Sequence, residues 1–387
     1  MQLSAIKQSF SVHYEYQLLF TQGVFHIDNP LFAERIAKYK PNEAVKLFFV
    51  IDKGLADAHP DILMQIEAYC KAHAKQLKHT QSVVLAGGEQ SKNSSEAIET
   101  VLKGINDNAI CRHSFVIAIG GGALIDMVGY TAAIAHRGVK LIRIPTTVLS
   151  QNDAAVGVKN SVNIFNKKNF LGTFAPPFAI INDSNFLTTL EQRDWISGVA
   201  EAIKVALIKD KNFFKYISDH AIDLKNRDME VMHYVIYKCA EMHMHHISQG
   251  GDPFESGSSR PLDFGHWAAH KMEYMTNYSL RHGEAVAKGI ALDVTYAYLV
   301  GLISEADLEH ILNVLLAIGF DISLPLSSEA ETTELLKGIE EFREHLGGEL
   351  TITLISGIGV QHDVHTIDMK LMSQAISNLN QYATVNQ

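Results

Sequence analysis

The stretch Ser114–Asp126, SFVIAIGGGALID, runs from a short continuous apolar segment through Gly120, Gly121 and Gly122 into the start of a helical pattern. An uninterrupted apolar run of this length is what a parallel strand buried on both faces requires. Glycines at the strand-to-helix turn let backbone N–H groups approach a pyrophosphate at the helix N-terminus. They also fit a tight turn that binds nothing, so the motif takes its meaning from its neighbours. Four further runs share its character: KLFFVID (46–52), SVVLAG from Ser82, VKLIRIP (139–145) and FAIIND (178–183). Helical patterns such as Ala97–Ile105 separate them, and this alternation predicts a doubly wound α/β domain with a parallel sheet.

Beyond Leu187 strand-like runs nearly vanish, and helix-compatible stretches take over at Ile196–Lys209, Asp228–His246, His266–Thr276, Glu284–Leu302 and Glu305–Leu316. The chain therefore divides into an α/β domain, 1–187, and a mainly helical domain, 188–387, with turn and cap residues in NDSNFLTTL at the junction. A cleft between them is the natural place for a ligand. LTITLIS from Leu350 is the one clear strand expected in the second half, and the acidic stretch Ser327–His345 reads as a solvated helix face.

With 387 residues, 47% of them hydrophobic, there is chain enough for two domains with substantial cores. A formal charge of −10 lacks the basic footprint of a nucleic-acid or anionic-membrane binder, so any anion must be caught by local cations and helix ends. The most apolar long stretch, Val286–Ile303, carries Lys288 and Asp293, which marks a buried core helix and not a membrane span. Met1–Phe20 has no signal-peptide core, and the chain reads as cytoplasmic. Cys70, Cys111 and Cys239 are scattered with no CxxC spacing, as expected of small buried residues in a reduced compartment.

Asp52 ends a strand where a carboxylate can take ribose hydroxyls or simply cap a helix, and Gly87–Lys92 adds Glu89 and Lys92 in a second loop. Pro145-Thr146-Thr147 closes another strand, and Asp153, Lys159, Lys168 and Asn169 follow in a loop-like region. Lys167, Lys168 and Arg137 in this half point to a phosphate-bearing substrate, or to ordinary solvated cations. The strongest constellation is His266 and His270 at i and i+4, His282 sixteen residues after His266, and Glu201 with Lys204 one turn on. One carboxylate with two imidazoles suits a catalytic Zn²⁺ with positions open to substrate. Spacing alone leaves open whether His270 or His282 joins His266, and whether Glu201 and Lys204 are only an i,i+3 ion pair.

Taken in order, GGGALIDMVGY, HRGVKLIRIPTTVLSQNDAAVGVK, NKKNFLGTF, GVAEAIKVALI, LDFGHWAAH and RHGEAVAKGIA resemble the 3-dehydroquinate synthase superfamily of sugar phosphate cyclases, over about Phe48–Gly359. The resemblance implies an NAD⁺- and Zn²⁺-dependent homodimeric lyase, with Co²⁺ as an alternative metal, acting on a small sugar phosphate. Its motifs put Glu201, His266 and His282 on the metal and make His270 a substrate-side residue that assists proton movement. They match Asp52, Glu89, Lys92, Gly121, Gly122, Asp126, Thr146, Thr147, Lys159, Lys168 and Thr189 to NAD⁺-contacting positions. Arg137, Asp153, Lys204 and Asn169 match substrate-contacting ones. The implied chemistry has no net redox change: transient oxidation of a carbinol, elimination of phosphate, return of the hydride, and intramolecular aldol closure.

Three places depart from the parent enzyme's pattern. L-N-x-G-H has become Leu262-Asp263-Phe264-Gly265-His266; a lysine expected about fourteen residues before Arg260 is replaced by a region holding His243, His245 and His246; and a D-K-K motif gives way to Phe342–Gly348, which contains His345. Two lost lysines and a gained carboxylate disfavour a substrate carboxylate by like-charge repulsion and lost hydrogen bonds. The run PFESGSSRPLDFGHWAAHKME and the FREHLGG segment resemble the C7-cyclitol branch, the 2-epi-5-epi-valiolone synthase-like enzymes that cyclise sedoheptulose 7-phosphate. Asp263, Arg260 and His345 thereby become candidate substrate residues. The rivals are 3-dehydroquinate synthase acting on the heptulosonate phosphate, a metal-dependent polyol dehydrogenase of the glycerol type, and a pseudoenzyme. The first metal ligand of the dehydrogenases is typically an aspartate, which Glu201 is not.

Overall fold

A computed structural model describes residues 5–165, 167–250, 254, 261–345 and 347–386, with the backbone alone at 261, 345 and 386. In chain order the elements are β1 Gln17–Thr21, α1 Leu31–Tyr39, β2 Val45–Asp52, α2 Lys53–Ala58, α3 Ile62–Ala72, β3 Leu77–Leu85, α4 Ser95–Asp107, β4 Phe115–Gly120, α5 Gly122–Ile134, β5 Lys140–Pro145, β6 Lys159–Ile164, β7 Lys167–Phe174 and β8 Ala179–Asp183. The second half holds α6 Gln192–Lys209, α7 Lys211–Asp219, α8 Ala221–Lys225, α9 Met229–Gln249, α10 His266–Met275, α11 His282–Leu299, α12 Glu305–Ile318, α13 Glu329–His345, β9 Ile352–Gly357, β10 Val360–Val364 and α14 Met369–Asn386.

Six strands form one parallel sheet in the order β1-β8-β5-β4-β2-β3. Because side chains alternate across a strand, Phe49, Ile51, Ile117 and Ile119 meet α1 and α3 on one face, through Phe32, Ile36, Ile66 and Tyr69. Phe48, Val50, Val116 and Ala118 meet α4 and α5 on the other, through Val101, Ile105, Leu124 and Val128. The continuous apolar runs are thus explained by two buried faces, and the doubly wound α/β expectation holds. The second half packs around α6 and α11, whose side chains are buried along nearly their whole lengths. Among the described residues no helix is long and apolar enough to cross a membrane.

Several expectations need correction. The loop-like region after Asp153 contains an antiparallel hairpin, β6–β7, whose second strand is mostly exposed and so lacks an apolar run. LTITLIS is β9, but it pairs with β10, whose half-exposed VQHDV gives no apolar signal. Edge strand β1, parallel to β8, was likewise not foreseen. Of the cysteines, Cys70 and Cys239 are buried while Cys111 is exposed. The acidic segment is α13, which is more than a solvated face because it buries Leu335, Ile339 and Phe342.

Arg143 on β5 is fully buried, and its guanidinium ties the sheet to the segment entering the hairpin. It donates to the carbonyls of Ala155 (2.8 Å), Gly157 (2.5 Å) and Lys159 (3.3 Å) and to Asn160 Oδ1 (2.7 Å).

Candidate active site

At the carboxyl end of the sheet, Asp52 caps α2, its Oδ1 accepting from Gly54 N at 2.8 Å, and burial raises its pKa against the pull of backbone donors. Gly87 and Gly120 close on it: a Cβ on Gly87 would lie 1.9 Å from Asp52 Oδ2, and one on Gly120 would lie 2.9 Å from Asp52 Cβ. Gly121 precedes α5 and Gly122 begins it, so the helix's first N–H groups open onto this edge. Thr146 donates its N–H to Gly120 O (3.0 Å), and Thr147 Oγ1 shares a hydrogen bond with Ser150 Oγ (2.8 Å), which holds the next turn against it.

The hairpin β6–β7 lies over this edge through a polar network. Lys92, only 3% exposed, reaches Asp126 Oδ2 at 2.9 Å and also contacts Asn169 Oδ1. Ser161 Oγ donates to Asn169 Oδ1 (2.9 Å), and Asn163 Nδ2 donates to Glu89 Oε1 (2.8 Å). Lys168 reaches out of β7 to Glu273 on α10, at 3.0 and 3.1 Å from its two oxygens. Glu89, Lys92, Asp126, Lys168 and Asn169 are therefore brought together by mutual pairing rather than as open cations. Lys159 begins β6, and Thr189 Oγ1 lies 3.0 Å from His59 Nε2.

Below the hairpin, Glu201 of α6, His266 at the start of α10 and His282 at the start of α11 converge, with one ligand-type atom of each within 4.8 Å of the others. His282 Nε2 is 3.2 Å and His266 Nε2 3.5 Å from Glu201 Oε1. Glu201 is wholly buried, and neither oxygen makes a hydrogen bond of regular geometry; Lys204, one turn on, approaches as an ion partner. Burial pushes the Glu201 carboxyl up, but Lys204 and His266 outweigh it and hold the pKa well below the usual range. An ionised, unsatisfied carboxylate facing two imidazole nitrogens is the donor set a divalent metal fits. The spacing ambiguity is resolved geometrically: both His270 and His282 neighbour His266, at ring distances of 5.4 and 5.5 Å, but only His282 shares the Glu201 cluster. His270 is exposed on the cleft wall and stacks on His282 at 6.0 Å.

Lys204 is buried beside Glu201, Asp153 and Asp263; burial lowers its pKa, but these carboxylates more than reverse it, and it stays protonated. Asp153 Oδ1 lies 3.1 Å from His243 Nδ1 on α9. Of the three candidate histidines, His243 faces the cleft, whereas His246 Nδ1 sits 3.2 Å from Lys209. Arg260 and the side chain of His345 lie outside the described residues. Arg137 lies apart from these residues: it follows α5 and precedes β5, at the amino end of the sheet, roughly 20 Å of strand from the glycine turn. There it lines a cavity of about 610 Å³ with Cys111, Arg112, His113, Ile134 and His136.

Two residues that shape the site escaped the sequence reading. Glu273, at i+7 from His266, shared the helical face already used for His266 and His270. It accepts from His282 Nδ1 (3.2 Å) as well as Lys168, and although burial raises its pKa, His282 and Lys168 hold it far below the usual range. Asp293, the lone acid deep in α11, accepts from Gly265 N and Trp267 Nε1, both at 2.9 Å, and so anchors the turn that launches His266. Gly265, at φ 77°, lies against the backbone of α11, where a Cβ would come within 2.8 Å of Ile290 N. Burial pushes Asp293 from 3.8 up to about 7, against the pull of Trp267 and Gly265. Asp293 then binds more protons in the folded protein than in the unfolded chain between about pH 4 and pH 7, so its contribution to stability falls as pH rises through that window and levels off above it. Denaturant melts from pH 5 to 8 are expected to show this slope in wild type and a flatter one in Asp293→Asn.

Residues 82–197 match the family described as 3-dehydroquinate synthase N-terminal and residues 198–341 that described as 3-dehydroquinate synthase C-terminal. The 3-dehydroquinate synthase of Shewanella frigidimarina (strain NCIMB 400) is 31% identical over 346 residues, 89% of this chain and 93% of that protein. The solved structure of ValA, a 2-epi-5-epi-valiolone synthase from Streptomyces hygroscopicus subsp. jinggangensis 5008 with NAD⁺ and Zn²⁺ bound, superposes with TM-score 0.87 at 26% identity, covering 97% of this chain and 99% of that one. A 2-deoxy-scyllo-inosose synthase complexed with carbaglucose-6-phosphate, NAD⁺ and Co²⁺ shares the fold at TM-score 0.76 and 22% identity, over 93% and 96% of the two chains. Matched in both halves across the cleft, and by a relative along most of its length, the chain belongs to the 3-dehydroquinate synthase family.

Proposed function

We propose that this protein is an NAD⁺- and Zn²⁺-dependent sugar phosphate cyclase that converts sedoheptulose 7-phosphate to a C7 cyclitol of the 2-epi-5-epi-valiolone type. The observation that carries the substrate is the charge around Lys204. Glu201, Asp153 and Asp263 set three carboxylates against one ammonium, and His243 faces the cleft where a lysine would welcome a substrate acid. A divalent metal balances that excess; a substrate carboxylate adds to it, whereas a neutral hydroxymethyl group does not. The likeness to ValA along the whole chain supports the same branch.

When bound, Zn²⁺ supplies a Lewis acid and NAD⁺ a hydride acceptor that later returns the hydride. Glu201, His266 and His282 are the residues that would hold the metal, and the N-terminus of α5 with Asp52 would hold the nucleotide. Lys204 keeps Glu201 ionised and offers its ammonium to a substrate oxygen. Asp153, held by His243, and His270, open to the cleft, are the groups able to take up and return protons beside the substrate. Arg137, a strand's length from its own cleft, serves in this reading from the second copy of a homodimer.

The test offers purified protein, NAD⁺ and Zn²⁺ either sedoheptulose 7-phosphate or 3-deoxy-arabino-heptulosonate 7-phosphate, and follows phosphate release and the carbocyclic product. Release from sedoheptulose 7-phosphate is expected. Release from the heptulosonate alone would establish dehydroquinate synthesis instead, the activity for which the Shewanella relative is named. Lasting NADH accumulation with glycerol would establish a polyol dehydrogenase. Asp263→Asn is expected to improve kcat/KM for the carboxylated sugar relative to the neutral one by about tenfold, since one like-charge contact in a partly solvated cleft is worth ~1–2 kcal/mol.

A further inference from the structure

Glu273 belongs to none of the ligand or substrate positions assigned above, yet it is the most heavily engaged carboxylate near them. It is 4% exposed, and its oxygens accept from Lys168 Nζ at 3.0 and 3.1 Å and from His282 Nδ1 at 3.2 Å. A carboxylate at Nδ1 holds the proton there, so the lone pair of the neutral ring is left on Nε2, the nitrogen that lies 3.2 Å from Glu201. His266 reaches the same state by another device, its Nδ1 lying 3.0 Å from the carbonyl of Phe264. One imidazole is thus oriented from within the helical half, and the other by a side chain that β7 grips from across the cleft. His270, Glu273 and His282 could also be read as a metal triad, but the Lys168 ammonium already serves Glu273 as its cation.

We propose that Glu273 is a positioning residue for the metal centre, fixing His282 with Nε2 toward the metal, and that Lys168 makes the hairpin β6–β7 part of that restraint. The inference rests on the reading of Glu201, His266 and His282 as Zn²⁺ ligands. It implies that zinc retention depends on a side chain of the nucleotide-side half that never touches the ion. Outer partners of metal-ligating histidines typically matter by 10–100-fold in affinity.

The experiment measures zinc affinity by competition with a chromophoric chelator, and thermal unfolding of the zinc-free protein in parallel, for wild type, Glu273→Ala, Glu273→Gln and Lys168→Met. Glu273→Ala is expected to weaken zinc by about 10–100-fold. Glu273→Gln, whose amide oxygen still accepts from Nδ1, is expected to recover part of that loss. Lys168→Met removes a positive charge near the ion, which by itself would tighten zinc; the proposal expects it to weaken zinc severalfold, because the tie is lost. Variants that lower the zinc-free melting temperature but bind zinc as wild type does would overturn the proposal by leaving Glu273 a purely structural role. Tighter zinc in Lys168→Met would remove the restraint across the cleft. A wild-type protein that takes up no zinc would instead overturn the ligand reading beneath it.

Discussion

Glu201→Ala is expected to yield a folded protein that loses its zinc on dialysis and falls in kcat/KM by about 10³-fold or more, ~4 kcal/mol of transition-state stabilisation. Glu201 is the one carboxylate in its cluster, so its removal leaves two imidazoles, which hold a divalent ion weakly by themselves. Lys204 would remain buried but keeps Asp153 and Asp263 as electrostatic partners, which is why the fold should survive. Metal analysis after gel filtration and initial rates of phosphate release check both halves of the expectation. Glu201→Gln preserves shape without charge and should behave alike; full zinc content in that variant would mean that other residues are the ligands.

Arg143→Met is expected to cost about 4 kcal/mol of stability, the largest loss foreseen for a residue outside the cleft. Its guanidinium is fully buried and serves three main-chain carbonyls and Asn160. Methionine fills similar volume but leaves those acceptors without donors, each costing about 1–3 kcal/mol when buried. Burial lowers the Arg143 pKa to about 10, so the residue is still charged at neutral pH. Urea melts measure the loss, and an unchanged midpoint would mean that water replaces every bond. Because the segment tied by Arg143 runs from Asp153 into β6, activity is expected to fall at temperatures below the melt.

Most of the sheet was legible because strands buried on both faces, such as Phe115–Gly120, read as near-continuous apolar runs. The hairpin β6–β7 was illegible for the converse reason: its buried strand β6 carries Asn160, Ser161 and Asn163, its partner β7 is mostly exposed, and a polar pairing such as that of Asn163 with Glu89 is long-range. Glu201, His266 and His282 were legible as a set from motif order, yet spacing could not separate His270 from His282, since both rings neighbour His266. Lys92, Lys168 and Lys204 are each committed to a carboxylate, and Arg137 sits at the wrong end of the sheet for its own cleft. Sequence offers Glu201 for Lys204 as an i,i+3 pair, but not Asp126 for Lys92 or Glu273, 105 residues on, for Lys168.

The placement of β1 bears on how the chain is made. Its register runs Gln17 with Ala179 through Thr21 with Asp183, and Asp183 also accepts from the N–H groups of Gly23 and Val24. Although first of this sheet's strands in chain order, β1 is therefore the last of them that can be seated, because its neighbour emerges some 160 residues later. Until then residues 17–24 have no sheet edge to join, and loop closure over so long a span is slow. Nascent chains arrested before Asp183 should leave this segment open to proteolysis, while chains released just beyond it should protect it. Completion of the six-stranded sheet is in this way timed by the residues that immediately precede the helical half.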